Sequence, residues 1–381
     1  MNFLEVLKQE FKTIFGDVAI VLTIIGGVLL YSFMYPQPYL NETLSKIPIS
    51  VVDMDKTKTS RDLIFMLKSS SDVDVVRVDN SYNDAKKAFL LGQVKGIITI
   101  PINFEKDLYL EKRPTITIGA DGSYFLLYGG VVEAGMKTVL AKIYSLKIAN
   151  LLKNNTPTCK AKTSYTAYSL KSINIYNPDN SYLQYVIPAV FVLILQQTML
   201  IGLGIVGGGV NEKIYKNYNY NSKTLHVILA RLLIFGGLFF VHSLYYFGVC
   251  FEYLHIYHLA SFKDMLMFIF LFLTASASFG IFFGSLLKSR EMATPLVLFS
   301  SLPLVFSSGF VWPRDAMDKW IVLVSDFFPS TVAIDGFLKL NQLGSDFSMI
   351  LQNSTILFLQ SIVYLFLAYF IISKKRKNLQ Q

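Results

Sequence analysis

The hydrophobic positions of this chain fall into one uncharged apolar run near its start, a long polar stretch, and five further apolar runs. Crossing a hydrocarbon core of about 30 Å at about 1.5 Å per residue takes about 20 helical residues. The pattern therefore predicts a polytopic α-helical membrane protein. Its six transmembrane helices are predicted at Val18–Tyr35, Tyr185–Val210, Leu225–Cys250, Met265–Leu287, Met292–Trp312 and Met349–Ile372.

Residues 36–182, between the first two spans, form an inserted domain with a different pattern. Short runs rich in Val, Ile and Thr predict strands, at Ile47–Asp53, Val73–Val78, Gly96–Ile100 and Thr115–Ala120. Three-to-four spacing of apolar residues predicts the helices between them, at Ser60–Lys68, Tyr82–Leu91 and Asn103–Leu110, and a long helix at Tyr124–Leu152. Alternating strands and helices predict an α/β domain with a parallel or mixed sheet.

Composition agrees with a membrane protein. The chain has 381 residues, of which 53% are hydrophobic and only 16% charged, whereas soluble domains carry about 25% charged residues. A soluble protein with unusually apolar core helices is the alternative, but six runs of spanning length are hard to bury in one soluble core. The spans also lack the paired carboxylates of an intramembrane enzyme, since His242 stands there without an acidic neighbour in the sequence.

The net charge of +9 does not indicate nucleic-acid binding, because the basic residues follow the membrane pattern. They flank alternate ends of the spans, at Lys8, Lys12, Lys213, Lys216, Lys223, Lys288, Arg290 and the tail 374–381. The positive-inside rule therefore predicts that both termini are cytoplasmic and that the inserted domain is extracytoplasmic. The expected location is the cell inner (cytoplasmic) membrane. A cleaved signal peptide is the competing interpretation of the first run, but a small-residue cleavage site is missing after it.

Three features have two interpretations each. Arg231 lies near one end of the third span, so we expect its side chain to reach the interface rather than to be a buried functional charge. Cys159 and Cys250 are able to pair if both are extracytoplasmic, although nothing requires it. Acidic and histidine clusters suggest cations but are more often turn or interface residues, at Asp53 with Asp55, Asp72 with Asp74, and Glu252 with His255 and His258.

Residues 1–17 are predicted to form an amphipathic helix that lies in the cytoplasmic interface of the bilayer. Its apolar face includes Phe3, Leu7 and Phe11. Further along, Gln196 and Gln197 fall in the middle of the second span, and Gly280 and Gly284 form a GxxxG pattern in the fourth. Polar amides there must face protein or water, so these four residues either pack helices together or line a substrate path.

The region 183–373 thus holds five spans and one irregular segment. Pro303, Gly309 and Pro313 predict a broken helix. The short apolar segment that follows predicts a re-entrant or interfacial helix near 313–330. Candidate residues for the substrate path or for packing in this stretch are Ser308, Gly309, Phe310 and Pro313.

In the order and spacing of these features the chain resembles the permease subunits of type-2 ABC transporters. The matching features are the N-terminal helix, the large domain after one span, the loop that begins Asn211-Glu-Lys213, and the patterns Ser-Gly-Phe-x-x-Pro and Phe-Pro-Ser-Thr. The resemblance implies that the loop docks on an ATPase, with candidate residues Glu212, Lys213, Tyr215 and Lys216. The family's Gly-Thr after the glutamate is missing here.

The resemblance further implies an exporter that moves an amphipathic or lipid-like molecule out of the cytoplasm or inner leaflet. Its expected partners are a cytoplasmic ABC ATPase subunit, a second permease copy or paralogue, the lipid bilayer, and in some members a periplasmic adaptor. The sequence carries no GxxxxGK[ST] phosphate loop, so we expect no cofactor of its own, with ATP bound by the partner. A membrane-anchored sensor or scaffold is the alternative function.

Overall fold

The computed structural model describes residues 2–40, 46–110, 112, 114–122, 125–153, 177, 181–215, 218–220 and 222–380. The chain divides into two compact units. Unit 1 comprises Met1–Leu40 and Asn174–Gln381, and unit 2 comprises Asn41–Ile173. Lys216 and Cys159 lie outside the described residues. The suggested pairing of Cys159 with Cys250 therefore lies outside them too.

Unit 1 is helical. Its helices are α1 (Phe3–Phe15), α2 (Val18–Tyr39), α7 (Tyr182–Asn211), α8 (Thr224–Tyr253), α9 (Phe262–Leu286), α10 (Ala293–Ser307), α11 (Lys319–Ser325), α12 (Pro329–Gln342) and α13 (Leu351–Gln380). Among the described residues, α2, α7, α8, α9 and the segment Phe347–Arg376 are each long and apolar enough to cross a membrane. The protein is therefore a polytopic helical membrane protein.

The predicted bounds of the fifth span, Met292–Trp312, extend beyond the end of the observed helix. Helix α10 ends at Ser307 after 15 residues, which at about 1.5 Å per residue is about 22 Å. It ends there because Gly309 has a φ of +98°, in the left-handed region that a helix does not continue through. The apolar residues that follow, which made the span look longer, belong to a loop.

The irregular segment after that loop is a sharply bent helix pair. Helices α11 and α12 meet at an angle of 100° across a break of three residues, so they form either a sixth, broken span or a re-entrant hairpin. At the centre of unit 1 lies α7, most of whose residues are buried inside the protein. Helices α9, α10 and α12 all pack on it.

Helix α1 is capped at its N-terminal end by two side chains. The Asn2 side chain accepts a hydrogen bond from the Phe3 amide at 2.7 Å, and the Glu5 carboxylate accepts one from the Asn2 amide at 3.1 Å. Its buried residues are Val6, Glu10 and Ile14, and the three residues named for the predicted apolar face are not among them. Phe3 and Leu7 pack at the edge of that buried face, while Phe11 is exposed.

Unit 2 is an α/β domain, as its alternating pattern predicts. Its elements are β1 (Ile47–Asp53), α3 (Lys58–Lys68), β2 (Val73–Asp79), α4 (Tyr82–Leu90), β3 (Gly96–Ile100), α5 (Phe104–Tyr109), β4 (Thr117–Ala120) and α6 (Phe125–Lys153). The sheet order is β2-β1-β3-β4, with β1 parallel to both neighbours and β4 antiparallel to β3. The sheet is therefore mixed.

The aspartates at the end of β1 have a structural role in the turn that follows. The Asp53 carboxylate accepts hydrogen bonds from the Lys56 amide at 2.9 Å and from the Ser60 hydroxyl at 2.9 Å. The Asp55 carboxylate accepts one from the Glu105 amide at 3.0 Å. These bonds position the first turns of α3 and α5. No group of three His, Cys, Asp or Glu residues able to hold a metal ion occurs in the described part of the chain.

Candidate functional site

Four segments that are far apart in the sequence meet at one end of unit 1. They are α1 with the start of α2, the loop between α7 and α8, the turn between α9 and α10, and the end of α13. These segments carry most of the basic residues outside unit 2, and we call this end the basic end. Both charged pairs and backbone hydrogen bonds hold it together.

At the basic end, Glu10 of α1 is fully buried and forms an ion pair with Arg231 of α8. Arg231 Nε donates to Glu10 Oε2 at 2.9 Å, and Arg231 Nη2 lies 3.3 Å from the Tyr218 hydroxyl. The Tyr218 hydroxyl donates to Glu10 Oε1. Burial, together with the Glu10 carboxylate, raises the pKa of Tyr218, so its hydroxyl stays a donor well into the alkaline range. This network ties α1 and the α7–α8 loop to α8.

The expectation that the Arg231 side chain reaches the interface rather than being a buried charge is therefore wrong. Its side chain is only 5% exposed, and its charge is matched by Glu10 inside the protein. The sequence pattern of α1 does point to Glu10 as a buried partner for a basic residue. Glu10 is placed four residues after Val6 and four before Ile14, so a carboxylate lies within an apolar stripe.

A second charged pair joins the first span to the turn between α9 and α10. Asp17 caps the start of α2, accepting a hydrogen bond from the Ala19 amide at 3.0 Å. The same carboxylate binds Arg290 through both oxygens, at 2.9 Å and 3.0 Å. The Arg290 amide in turn donates to Glu212 at 3.0 Å.

The predicted docking residues lie around this second pair. The Glu212 side chain is exposed apart from its bond to Arg290, and Lys213 is exposed with a φ of +58°. The Tyr215 hydroxyl lies 3.4 Å from Asp17 and is half-buried; burial and that carboxylate raise the pKa of Tyr215 to about 12. Glu212 and Lys213 thus present charge at the surface, while Tyr215 faces inward.

The end of α13 closes the basic end. The last carbonyl groups of a helix lack partners within it, and the end of α9 is satisfied by two neighbours. Lys375 Nζ donates to the Ser285 carbonyl at 2.6 Å, and Asn211 Nδ2 donates to the Leu287 carbonyl at 2.7 Å. Arg376 donates to the Ser222 carbonyl in the α7–α8 loop. The basic tail thus contacts the loop and α9 directly.

The glycines of α7 and α9 allow these two helices to touch through their backbones. A Cβ on Gly284 would lie 2.5 Å from the Leu203 carbonyl oxygen, and one on Gly280 would lie 2.6 Å from the Leu203 side chain. A Cβ on Gly208 would lie 2.5 Å from the Ser289 carbonyl oxygen. The GxxxG pattern therefore serves helix packing in unit 1.

The two central glutamines have different surroundings. Gln196 is fully buried, donates to the Ser330 hydroxyl at 2.9 Å, and accepts from the Ser330 amide at 2.5 Å, which caps the start of α12. Gln197 faces α10, where Ser301 donates to its Oε1. The buried Nε2 of Gln197 has no partner among the described residues. Gln196 therefore joins helices, and Gln197 retains an unused donor.

The four candidates after α10 form a turn. Ser308 is buried and donates to the Val305 carbonyl at 2.9 Å, and Phe310 is buried. Gly309 leaves room for Arg314, since a Cβ there would lie 2.6 Å from Arg314 Cγ. Pro313 is exposed and ends the turn. The three side chains of the cluster that suggested a cation site, Glu252, His255 and His258, are all exposed.

The contacts at the basic end connect several helices to one loop. The charged pairs at the basic end fasten separate helices to one loop, and the exposed Glu212 is bonded into that assembly. The sequence profile of the ABC-2 family transporter proteins matches residues 18–370. A comparison with curated proteins gives no match.

Proposed function

Because this chain belongs to the ABC-2 transporter family and is thus a membrane permease of an ABC transporter, we propose that a separate ABC ATPase subunit drives it. In this proposal it exports an amphipathic or lipid-like molecule. The family match covers 353 of 381 residues, from 18 to 370. The permease acts as one half of a dimer, with an identical copy or a paralogue as the other half.

The observation that supports this proposal most directly is the chain of contacts that starts at Glu212. This exposed carboxylate accepts from the Arg290 amide, and Arg290 is paired with Asp17 at the start of α2. A force applied to the α7–α8 loop therefore reaches the first span through two consecutive contacts. ATP-driven motion of a docked subunit would rock the helices between inward- and outward-facing states.

The orientation that we propose places the basic end in the cytoplasm, unit 2 outside, and the protein in the cell inner membrane. The convergence of the basic segments at one end supports it, because positive loops favour the cytoplasmic side. The exposed residues of unit 2 would then be available to an envelope adaptor, as in other members of the family.

Orientation is tested with single cysteines in a Cys159→Ser, Cys250→Ala background. Lys86→Cys probes α4 in unit 2 and Lys288→Cys probes the basic end, and both native side chains are exposed. A membrane-impermeant maleimide added to intact spheroplasts should label the first variant and spare the second until the cells are lysed. The opposite pattern would refute the proposed export direction.

Coupling is tested in the reconstituted complex with its ATPase. Glu212→Ala should leave membrane insertion intact and lower both transport-linked ATPase activity and transport. Glu291→Ala is the matched control, because Glu291 is also exposed at the basic end but makes no hydrogen bond or ion pair among the described residues. If both variants couple as well as the unmodified protein, Glu212 has no role in docking.

A further inference from the structure

A cavity of about 460 Å³ lies between the end of α10, the bent pair α11–α12 and the first turns of α13. Its volume is within the range of small-molecule sites, about 300–1,000 Å³. Asn353 of α13 lines it, and Lys375 at the basic end follows 22 residues later on the same helix. At about 1.5 Å per residue these two positions are about 33 Å apart, so the cavity and the basic end lie at opposite ends of the span.

The cavity wall has more negative than positive charge. Arg314 is paired with Asp326 at 2.5 Å, and Lys339 with Asp335 at 2.7 Å, so these four side chains neutralise one another. Asp315 lines the same cavity and forms no ion pair or hydrogen bond within the described residues. One carboxylate therefore remains unmatched.

A buried amide adds an unused acceptor to this wall. Asn353 is 7% exposed, and its Nδ2 donates to the Val332 carbonyl at 3.0 Å and to Asp335 at 2.9 Å. These two bonds fix the orientation of the side chain, and nothing in the described part of the chain donates to its Oδ1. Because Asn353 Oδ1 is not among the sealed, unpaired atoms of the described residues, it is accessible and free to accept a hydrogen bond from a molecule in the cavity.

The remaining wall is apolar. Val332, Leu338 and Ile356 contribute aliphatic side chains to the same cavity. A molecule that satisfies every part of this wall carries hydrogen-bond donors, one positive charge and a short hydrocarbon portion.

We propose that this cavity binds an alkylammonium group, the protonated amine of an amphipathic molecule, with its N–H groups directed to Asn353 Oδ1 and the Asp315 carboxylate. The hydrocarbon portion contacts Val332, Leu338 and Ile356. This inference rests on the proposed function only for the role of the cavity as a station on the export route. Binding itself requires the permease alone.

The test uses the permease in nanodiscs without an ATPase, and three probes of equal chain length: hexylammonium, hexyltrimethylammonium and hexanoate. Saturation-transfer NMR titrations, corrected for empty nanodiscs, should give the order of affinity hexylammonium, then hexyltrimethylammonium, with hexanoate at background. The second probe keeps the charge and lacks N–H donors, so it isolates their contribution. Equal binding of hexanoate, or a preference for it, overturns the proposal.

A pair of variants at one position supplies the control for folding. Gln352 lines the cavity, is exposed, and has no hydrogen bond among the described residues, so its replacement leaves both ion pairs intact. Gln352→Arg should weaken hexylammonium binding by roughly three- to tenfold and Gln352→Glu should strengthen it by a similar factor. Equal affinities in the two variants overturn the proposal, whatever the outcome of the coupling experiment.

Discussion

Glu10 and Arg231 form a buried ion pair at 2.9 Å although 221 residues separate them in the sequence. Desolvating both charges is costly, and the cost is offset only while both partners are present. Tyr218 satisfies a further lone pair of the carboxylate. The pair therefore makes the position of α1 against α8 depend on two charged residues.

Removing one member of this pair should be more harmful than removing both. Glu10→Gln leaves the Arg231 charge buried without a counter-charge, and we expect a loss of about 3 kcal/mol in unfolding free energy. Glu10→Gln combined with Arg231→Met should recover part of that loss. Thermal unfolding in detergent measures both. A double variant that is less stable than Glu10→Gln would contradict this account of the pair.

Helix packing at the glycines is tested by adding one methyl group. Gly284→Ala places a Cβ against the Leu203 carbonyl oxygen, which is backbone and unable to move aside, so we expect a loss of about 1–3 kcal/mol. Gly237→Ala in α8 is the control, because no atom lies within 4 Å of the added Cβ. It should be neutral or stabilising by up to about 1 kcal/mol. Similar melting temperatures for the two variants would contradict the close contact.

The two central glutamines should respond differently to leucine. Gln196→Leu removes the bonds to the Ser330 hydroxyl and amide and leaves that amide buried, which should cost about 1–3 kcal/mol and lower expression. Gln197→Leu replaces an amide whose Nε2 already has no described partner, so stability should change little. A change in transport with normal expression in Gln197→Leu would then indicate a path residue. Equal stability of the two variants would refute the distinction.

The contact between Asp17 and Arg290 should matter for coupling more than for folding, because both side chains retain some exposure. Exchanging the two residues, Asp17→Arg with Arg290→Asp, keeps the pair but removes the cap at the start of α2. Asp17→Asn with Arg290→Gln keeps a capping oxygen and removes the charges. We expect the second double variant to fold normally and to lose much of its transport-linked ATPase activity. Full activity would show that the charges are dispensable.

Much of the fold was predictable because its signals are local. Observed strand bounds differ from the predicted ones by at most two residues, and Ser81 and Gly92 bound α4 as capping rules predict. The predicted end of the fifth span is wrong for a different local reason. Hydropathy stays high through Phe310 and Val311, which sets the predicted end at Trp312, although the backbone leaves the helix at Gly309. Gly309 is one of the three residues that predict a broken helix, and the helix does end beside it, whereas α10 continues through Pro303.

The site was less predictable because its contacts are distant in sequence. The sequence identifies Glu212 and Lys213 by their place in the loop between α7 and α8. It gives no indication that Arg290 binds Glu212 or that Asp17 binds Arg290. Charge counts identified which segments are basic without showing which acidic residue each would meet. Only the folded chain brings Lys375 to the end of α9.

The backbone contact between α7 and α9 limits where cargo is able to travel. Two helices whose glycine and carbonyl atoms touch leave no gap between them at the level of Leu203, so a translocating molecule is excluded from that seam. In the proposed export, the molecule must then pass outside this seam, and the face of α7 that carries Gln197 meets Ser301 of α10 instead.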